Sequence, residues 1–321
     1  IPRRARRAPL RAPLRAPLRA PLRAGLLAGL LAAGLAAPAP APALAQIRAP
    51  ALAQVRDGFF ETTDHVRLHY LEAGAARAPV IVMVPGWLMP AWIFQRQILA
   101  FARTYHVVAL DPRGQGESEV APAGYEPGRR AQDIAELIDR LGERPVVLLG
   151  WSLGVLDSLA YVATHGDSRL AGLVLVDNSV GEEPAPKPPP RPPRRLRPPP
   201  PYPARLAAFV RGLFRHPPGA AYLDRLTEAA LRLPEPEARA LRAYPVPRSY
   251  WRRAIYATAR PVLYIVRPGL TGQAANLAAH HPAAETALFP AAGHALFVDE
   301  PERFDALVQD WLHRRVWPGE G

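Results

Sequence analysis

The chain has 321 residues, 40 of them proline and none cysteine, with a formal net charge of +12. This length is enough for one large domain or two small ones, and the missing cysteines exclude disulfides, thiolate chemistry and cysteine-based metal sites. The residues before Gly25 contribute +8 and residues 184–203 contribute +5, so the rest of the chain carries a net charge of −1. Because nucleic-acid-binding proteins gather basic residues on a folded face, we expect no nucleic-acid binding.

Residues 1–45 have the order of a secretory signal peptide. Eight arginines precede an apolar run of 13 residues, Gly25–Ala37, and the small-residue stretch "PALAQ" follows. A membrane span needs about 20 apolar residues, so we expect cleavage, after Ala45 or Ala53, and export rather than stable membrane insertion. The alternative is a mis-assigned N-terminal extension, indicated by the tandem "RAPL" repeats, and a cytoplasmic protein. Residues 46–56 form the expected linker.

From about Asp57, short apolar runs alternate with amphipathic stretches. The runs are "VRLHYLEAG", "PVIVMVPGW", "YHVVALDPRG", "RPVVLLGWS", "LAGLVLVDN", "RPVLYIVRP" and "ETALFPAAGH". The helical stretches are Trp92–Ala102, Arg129–Leu141, Leu153–Thr164, Gln273–His280 and Pro301–Val316. This alternation predicts an α/β fold with a mostly parallel central sheet and helices on both faces.

Residues 178–259 interrupt the alternation, so the core is predicted to consist of residues 57–177 and 260–321. The interruption indicates a cap inserted between the sixth and seventh strands. Within it, residues 184–203 are rich in proline and arginine and predict an extended polyproline spacer. A role for this spacer in binding a protein partner is an open alternative.

The segment "GWSLG", Gly150–Gly154, lies between a buried strand and a helix. A Gly-x-Ser-x-Gly sequence in this context predicts a sharp turn that presents the hydroxyl of Ser152 at a helix N-terminus. The first and last positions must be nearly free of side chain because the turn is tight. Ser152 is therefore the candidate nucleophile.

With this segment the chain resembles the α/β-hydrolase fold family over roughly residues 57–317, without the proline-rich spacer. Further matching segments occur in the family's order: "VPGW", "DPRGQGES" and "AAGHALFVDEPERF". The resemblance implies that His294 is the general base. It also implies an oxyanion hole made by the backbone N–H groups of Leu153 and Trp87, with Leu88 as the alternative to Trp87. Pro85 replaces the family's usual histidine in that loop.

A catalytic triad also needs a carboxylate to orient the histidine. Most family members carry it after the strand that follows the cap, but here the loop "RPGLTGQ" contains only Arg267 as a charged residue. Glu285 is expected to be too distant. Asp177, at the end of the strand before the cap, is the predicted acid, and its alternative role is to anchor the cap. Asp299 and Glu300 are expected to cap the last helix.

The resemblance predicts a serine hydrolase that cleaves a small to medium apolar carboxylic ester through an acyl-enzyme, without metal or organic cofactor. Aromatic and methionine side chains near the two loops indicate a mostly apolar pocket, among them Trp87, Met89, Trp92 and Trp151. One alternative is a cofactor-free haloperoxidase or perhydrolase with the same triad. An alternative of another class is a non-catalytic binding protein on this fold. A dehalogenase is disfavoured because its nucleophile would be an aspartate.

Overall fold

A computed structural model describes residues 54–186 and 198–319. The predicted signal peptide and its cleavage sites, most of the linker and the middle of the proline-rich spacer lie outside the described residues. Within these two ranges, none of the helices is both long and apolar enough to cross a membrane.

Eight strands form one sheet in the order β1-β2-β4-β3-β5-β6-β7-β8. β1 and β2 pair antiparallel with each other, β2 pairs antiparallel with β4, and the other pairings are parallel. The strands are β1 (Arg56–Glu61), β2 (Arg67–Ala73), β3 (Val80–Val84), β4 (His106–Asp111), β5 (Val146–Trp151), β6 (Leu170–Val176), β7 (Val262–Val266) and β8 (Ala284–Leu288).

The central strands are continuous apolar runs because both of their faces are covered. Every residue of β3, β4, β5 and β7 is buried, as expected for parallel strands between two layers of helices. The helices are α1 (Gln95–Phe101), α2 (Pro127–Arg140), α3 (Leu153–His165), α4 (Tyr202–Arg211), α5 (Ala220–Leu231), α6 (Glu235–Ala240), α7 (Arg248–Ala257), α8 (Thr271–His280), α9 (Leu296–Asp299) and α10 (Pro301–Trp311). The predicted fold class is confirmed.

Helices α4 to α7 lie between β6 and β7, where the sequence predicts the cap. α4 packs on α5, whereas α7 packs on the core helix α3. Strand β1 has no counterpart in the sequence prediction. Its two adjacent phenylalanines, Phe59 and Phe60, interrupt the alternation of apolar and polar residues by which a half-buried strand is predicted. Only Phe60 of this edge strand is buried.

The carboxyl ends of the parallel strands meet at one edge of the sheet. Ser152 follows β5, Asp177 follows β6 and Arg267 follows β7, while the loop after β8 carries His294. Ligands of open α/β sheets bind at this edge, so the fold itself brings the candidate residues together.

Candidate active site

Ser152 occupies a strained turn between β5 and α3. Its backbone has φ 56° and ψ −116°, in the left-handed half of the map that non-glycine residues rarely adopt. A Cβ atom on Gly150 would lie 2.2 Å from the carbonyl oxygen of Gly154, and one on Gly154 would lie 2.2 Å from that of Val84. Only glycine fits at either position, as the sequence predicts for this turn.

His294 lies within hydrogen-bond distance of Ser152. Its Nε2 is 2.8 Å from the Ser152 Oγ, and its backbone carbonyl accepts a hydrogen bond of 2.8 Å from the indole N–H of Trp151. Trp151 is fully buried and its ring packs against the imidazole, with 5.3 Å between the ring centroids. Trp151, the residue before Ser152, therefore supports the loop that carries His294.

The prediction that Asp299 caps the last helix is wrong. Its carboxylate instead accepts hydrogen bonds from the backbone N–H groups of Gly293, Arg215 and His216. Glu300 is the residue before α10 but makes no side-chain capping bond to it. Asp299 thus fixes the residue next to His294 and ties this loop to the segment between α4 and α5.

Asp177 lies on the other side of the imidazole, and its Oδ2 is 2.6 Å from the His294 Nδ1. Its side chain is only 1% exposed, and its backbone φ of 53° is also left-handed. Burial opposes ionisation of this carboxyl, but the hydrogen bond and charge of His294, together with Arg267, outweigh it and lower the pKa of Asp177. The ionised carboxylate accepts, so Nδ1 carries the proton and Nε2 can accept from Ser152.

Arg267 lies in the loop after β7, where the resemblance to the family implies an acid. Its Nε donates to the Asp177 Oδ2 at 2.5 Å and its backbone N–H donates to Oδ1 at 3.1 Å. Glu285, the next carboxylate along the chain, pairs with Arg314 and Arg315. The structure therefore brings Asp177 to His294 and leaves Glu285 in a separate ion-pair cluster.

The loop after β3 lies directly against the Ser152 turn, since a Cβ atom on Gly86 would be 2.9 Å from the Ser152 Cβ. In the described part of the chain, the backbone N–H groups of Trp87 and Leu153 have no hydrogen-bond acceptor. The N–H of Leu88, the alternative donor, is bound by the Gln115 Oε1 at 2.6 Å. Two N–H groups without an acceptor therefore belong to residues beside the turn: Leu153 follows Ser152, and Trp87 follows Gly86.

Gln115 holds this loop in place from within "DPRGQGES". Its amide oxygen accepts from the Leu88 N–H, and its amide nitrogen donates to the carbonyl oxygens of Gly86 and Met89, each at 3.2 Å. Gln115 is 1% exposed, and Leu88 has a left-handed φ of 63°. The sequence analysis missed this residue, although a glutamine within a buried loop is a polar group that needs partners.

The side chains that the sequence assigns to an apolar pocket have different environments in the structure. Met89 and Trp151 are fully buried in the core, which corrects their assignment to a pocket. Trp87 is half-buried, donates its indole N–H to the Ala238 carbonyl at 2.7 Å and packs edge-on against Phe209 with centroids 5.0 Å apart. Trp87 therefore joins the loop beside Ser152 to the cap.

Two further carboxylates near the site serve structural roles. Asp111 accepts from His69 at 2.7 Å and from the backbone N–H of Glu117 at 2.8 Å. Asp157 forms a buried ion pair with Arg130 at 2.7 Å. No cluster of three or more His, Asp or Glu side chains suited to a metal ion occurs in residues 54–186 and 198–319.

A family model described as the alpha/beta hydrolase family matches residues 81–307, a range that includes Trp87, Ser152, Asp177 and His294. The chain belongs to the alpha/beta hydrolase family. This confirms the resemblance stated from the sequence motifs.

Among its relatives is a bifunctional esterase/perhydrolase of Acinetobacter calcoaceticus, 32% identical over 120 residues, or 37% of this chain and 44% of the relative. A non-heme haloperoxidase of Rhodococcus erythropolis is 34% identical over 119 residues, or 37% of this chain and 43% of the relative. The chain thus matches less than half the length of these two hydrolase-family proteins, and their activities bear on it only as a proposal.

The solved structure of an esterase from Rhodococcus sp. ECU1013 superposes with a TM-score of 0.66 at 22% identity. The superposition covers 81% of this chain and 99% of that chain. At this identity the likeness establishes the alpha/beta hydrolase fold alone.

Proposed function

We propose that this alpha/beta hydrolase is a serine hydrolase that cleaves carboxylic esters through an acyl-enzyme. The observation that carries the proposal is the continuous hydrogen-bond chain from Ser152 through His294 to Asp177, with links of 2.8 and 2.6 Å. Nucleophile, base and orienting acid follow the geometric order that such catalysis requires.

In the acylation half-reaction, the Ser152 Oγ attacks the ester carbonyl carbon while its proton passes to the Nε2 of His294. The charge that develops on the carbonyl oxygen is stabilised by the free N–H groups of Trp87 and Leu153 and by the N-terminus of α3. Collapse of the tetrahedral intermediate breaks the ester C–O bond, and His294 returns the proton to the leaving alkoxide oxygen.

In the deacylation half-reaction, water attacks the acyl carbon and gives its proton to His294. The bond to the Ser152 Oγ then breaks, the proton returns to Ser152, and the carboxylic acid leaves. Asp177 remains ionised throughout, holds the proton on Nδ1 and stabilises the imidazolium that forms twice in each cycle.

The proposed substrates are small to medium apolar esters. The support lies in the aromatic contact between Trp87 and Phe209, which places apolar surface of the cap next to the proposed oxyanion loop. Apolar surface of this kind favours apolar acyl or alcohol groups.

Perhydrolysis is the second candidate activity, favoured by the esterase/perhydrolase and haloperoxidase names of two relatives. The same acyl-enzyme would react with hydrogen peroxide instead of water, so that acetic acid and hydrogen peroxide give peracetic acid and water. A rise in peracid formation that depends on Ser152 would support this activity.

A series of p-nitrophenyl esters from acetate to octanoate tests the proposal. We expect turnover with a preference for the shorter or middle chain lengths, and its loss in Ser152→Ala. Ser249→Ala, at an exposed serine of α7, is the matched control and should keep wild-type turnover. A folded protein without turnover on any ester or peroxide substrate would favour the non-catalytic binding alternative.

Export is proposed separately from the pattern of residues 1–45. The support is the basic segment, the apolar run and the small residues before Gln46, in that order. Sequencing the mature N-terminus from the native source should find Gln46 or Gln54. A cytoplasmic chain that keeps the RAPL repeats would contradict export.

A further inference from the structure

The loop after β7 carries a cation, Arg267, that contacts the proposed acid, Asp177. Arg267 follows β7 and makes two hydrogen bonds to Asp177, one from its backbone and one from its side chain. The Arg267 side chain is 39% exposed, whereas that of Asp177 is 1% exposed. Asp177 is therefore a buried anion whose cationic partner lies at the boundary with solvent.

Arg267 and His294 donate to the same carboxylate oxygen. The Arg267 Nε and the His294 Nδ1 lie 2.5 and 2.6 Å from the Asp177 Oδ2. The Arg267 Nη2 is only 3.4 Å from that Nδ1. Since Nδ1 carries a proton, the guanidinium and the imidazole face each other as donors and share the Asp177 Oδ2 as their acceptor.

Within the described parts of the chain, the further titratable group packed at this point is the hydroxyl of Tyr264 on β7, which donates to the Asn178 carbonyl at 2.8 Å. Burial raises the pKa of Tyr264, so it stays neutral at working pH. Gln273 and Ser179 contribute neutral side chains nearby. Among residues 54–186 and 198–319, the charged groups at the imidazole are therefore one anion, Asp177, and one cation, Arg267.

We propose that Arg267 is a positioning residue that fixes the Asp177 carboxylate for His294. Its two hydrogen bonds hold both oxygens of a residue whose backbone is strained. The carboxylate held in this way keeps the imidazole oriented, with Nδ1 on Asp177 and Nε2 toward Ser152. This inference rests on the proposed function, because it concerns the same site.

Arg267→Met removes the charge and the side-chain donor, and Arg267→Lys keeps the charge. Because a misplaced acid weakens catalysis rather than substrate binding, we expect Arg267→Met to lower kcat on p-nitrophenyl butyrate roughly tenfold with little change in KM. Arg267→Lys should recover part of this loss. Arg253→Met, the control at an exposed arginine of α7, should keep the wild-type kcat.

The NMR signal of the His294 Nδ1–H proton in the same variants gives a readout that does not require turnover, because it reports the hydrogen bond to Asp177. A shift or broadening of this signal in Arg267→Met, with a smaller change in Arg267→Lys, supports the inference. An unchanged signal in folded Arg267→Met would overturn it, even if kcat falls. Absence of ester turnover in the wild type would instead count against the proposed function and leave the NMR result decisive for Arg267.

Discussion

Replacing Asp177 with Asn tests where the acid lies, because it removes the charge and keeps the size of the side chain. Three donors converge on this carboxylate: the Arg267 N–H, the Arg267 Nε and the His294 Nδ1. An asparagine has one acceptor oxygen and one donor group, so it cannot satisfy all three. With its NH₂ toward His294, it would favour the tautomer whose Nε2 carries the proton and cannot accept from Ser152.

The expected loss follows from this wrong tautomer and from the lost stabilisation of the imidazolium. Removing the charge of a triad acid lowers kcat by about 10³ to 10⁴, which corresponds to roughly 4 to 5.5 kcal/mol of transition-state stabilisation. The assay is kcat on p-nitrophenyl butyrate near pH 8, with circular dichroism and thermal melting to establish that the variant is folded.

Asp139→Asn provides the matched control, since Asp139 is a 68% exposed carboxylate paired with Arg169 on the surface. It should retain wild-type kcat. If folded Asp177→Asn keeps kcat within about tenfold of the wild type, the reasoning that places the acid before the cap is refuted, and Asp177 is a cap anchor.

The remaining predictions concern the loop beside Ser152 and stability at low pH. Gln115→Leu removes three hydrogen bonds to the proposed oxyanion loop and should lower kcat roughly ten- to a hundredfold with little change in KM; an unchanged kcat in the folded variant would contradict this role. Asp64 has a pKa lowered to about 2, because its contacts with Arg113 and Thr62 outweigh burial. Its contribution to stability is therefore complete above its ordinary pKa of 3.8 and is lost as pH falls toward 2. Asp64→Asn should cost about 1 kcal/mol at pH 7, and urea unfolding should show the difference from wild type narrowing below pH 4; a constant difference would contradict it.

The sequence predicted the parts of the site whose constraints are local. The Ser152 turn requires glycine two residues before and two residues after, and the flanking strand and helix are visible in the same segment. Asp177 was predicted by exclusion, because the loop after β7 offers no carboxylate and the strand before the cap ends in one. The structure places it within 2.6 Å of His294.

The sequence could not predict contacts that depend on tertiary placement. Arg267 was visible as the charged residue of its loop, but its pairing with Asp177 spans 90 positions. Asp299 was misread as a helix cap because an acid before a proline-initiated helix is a local pattern. Its actual partners, Gly293 and two residues of the cap, become neighbours only when the loops meet.

Covalent labelling of Ser152 by a fluorophosphonate probe tests the central claim, an activated serine nucleophile, most directly. The account predicts one adduct on the folded wild-type protein, located at Ser152 by peptide mapping, with none on Ser152→Ala or on the denatured chain. A folded wild-type protein that stays unlabelled, or that is labelled equally well after denaturation, would contradict the account.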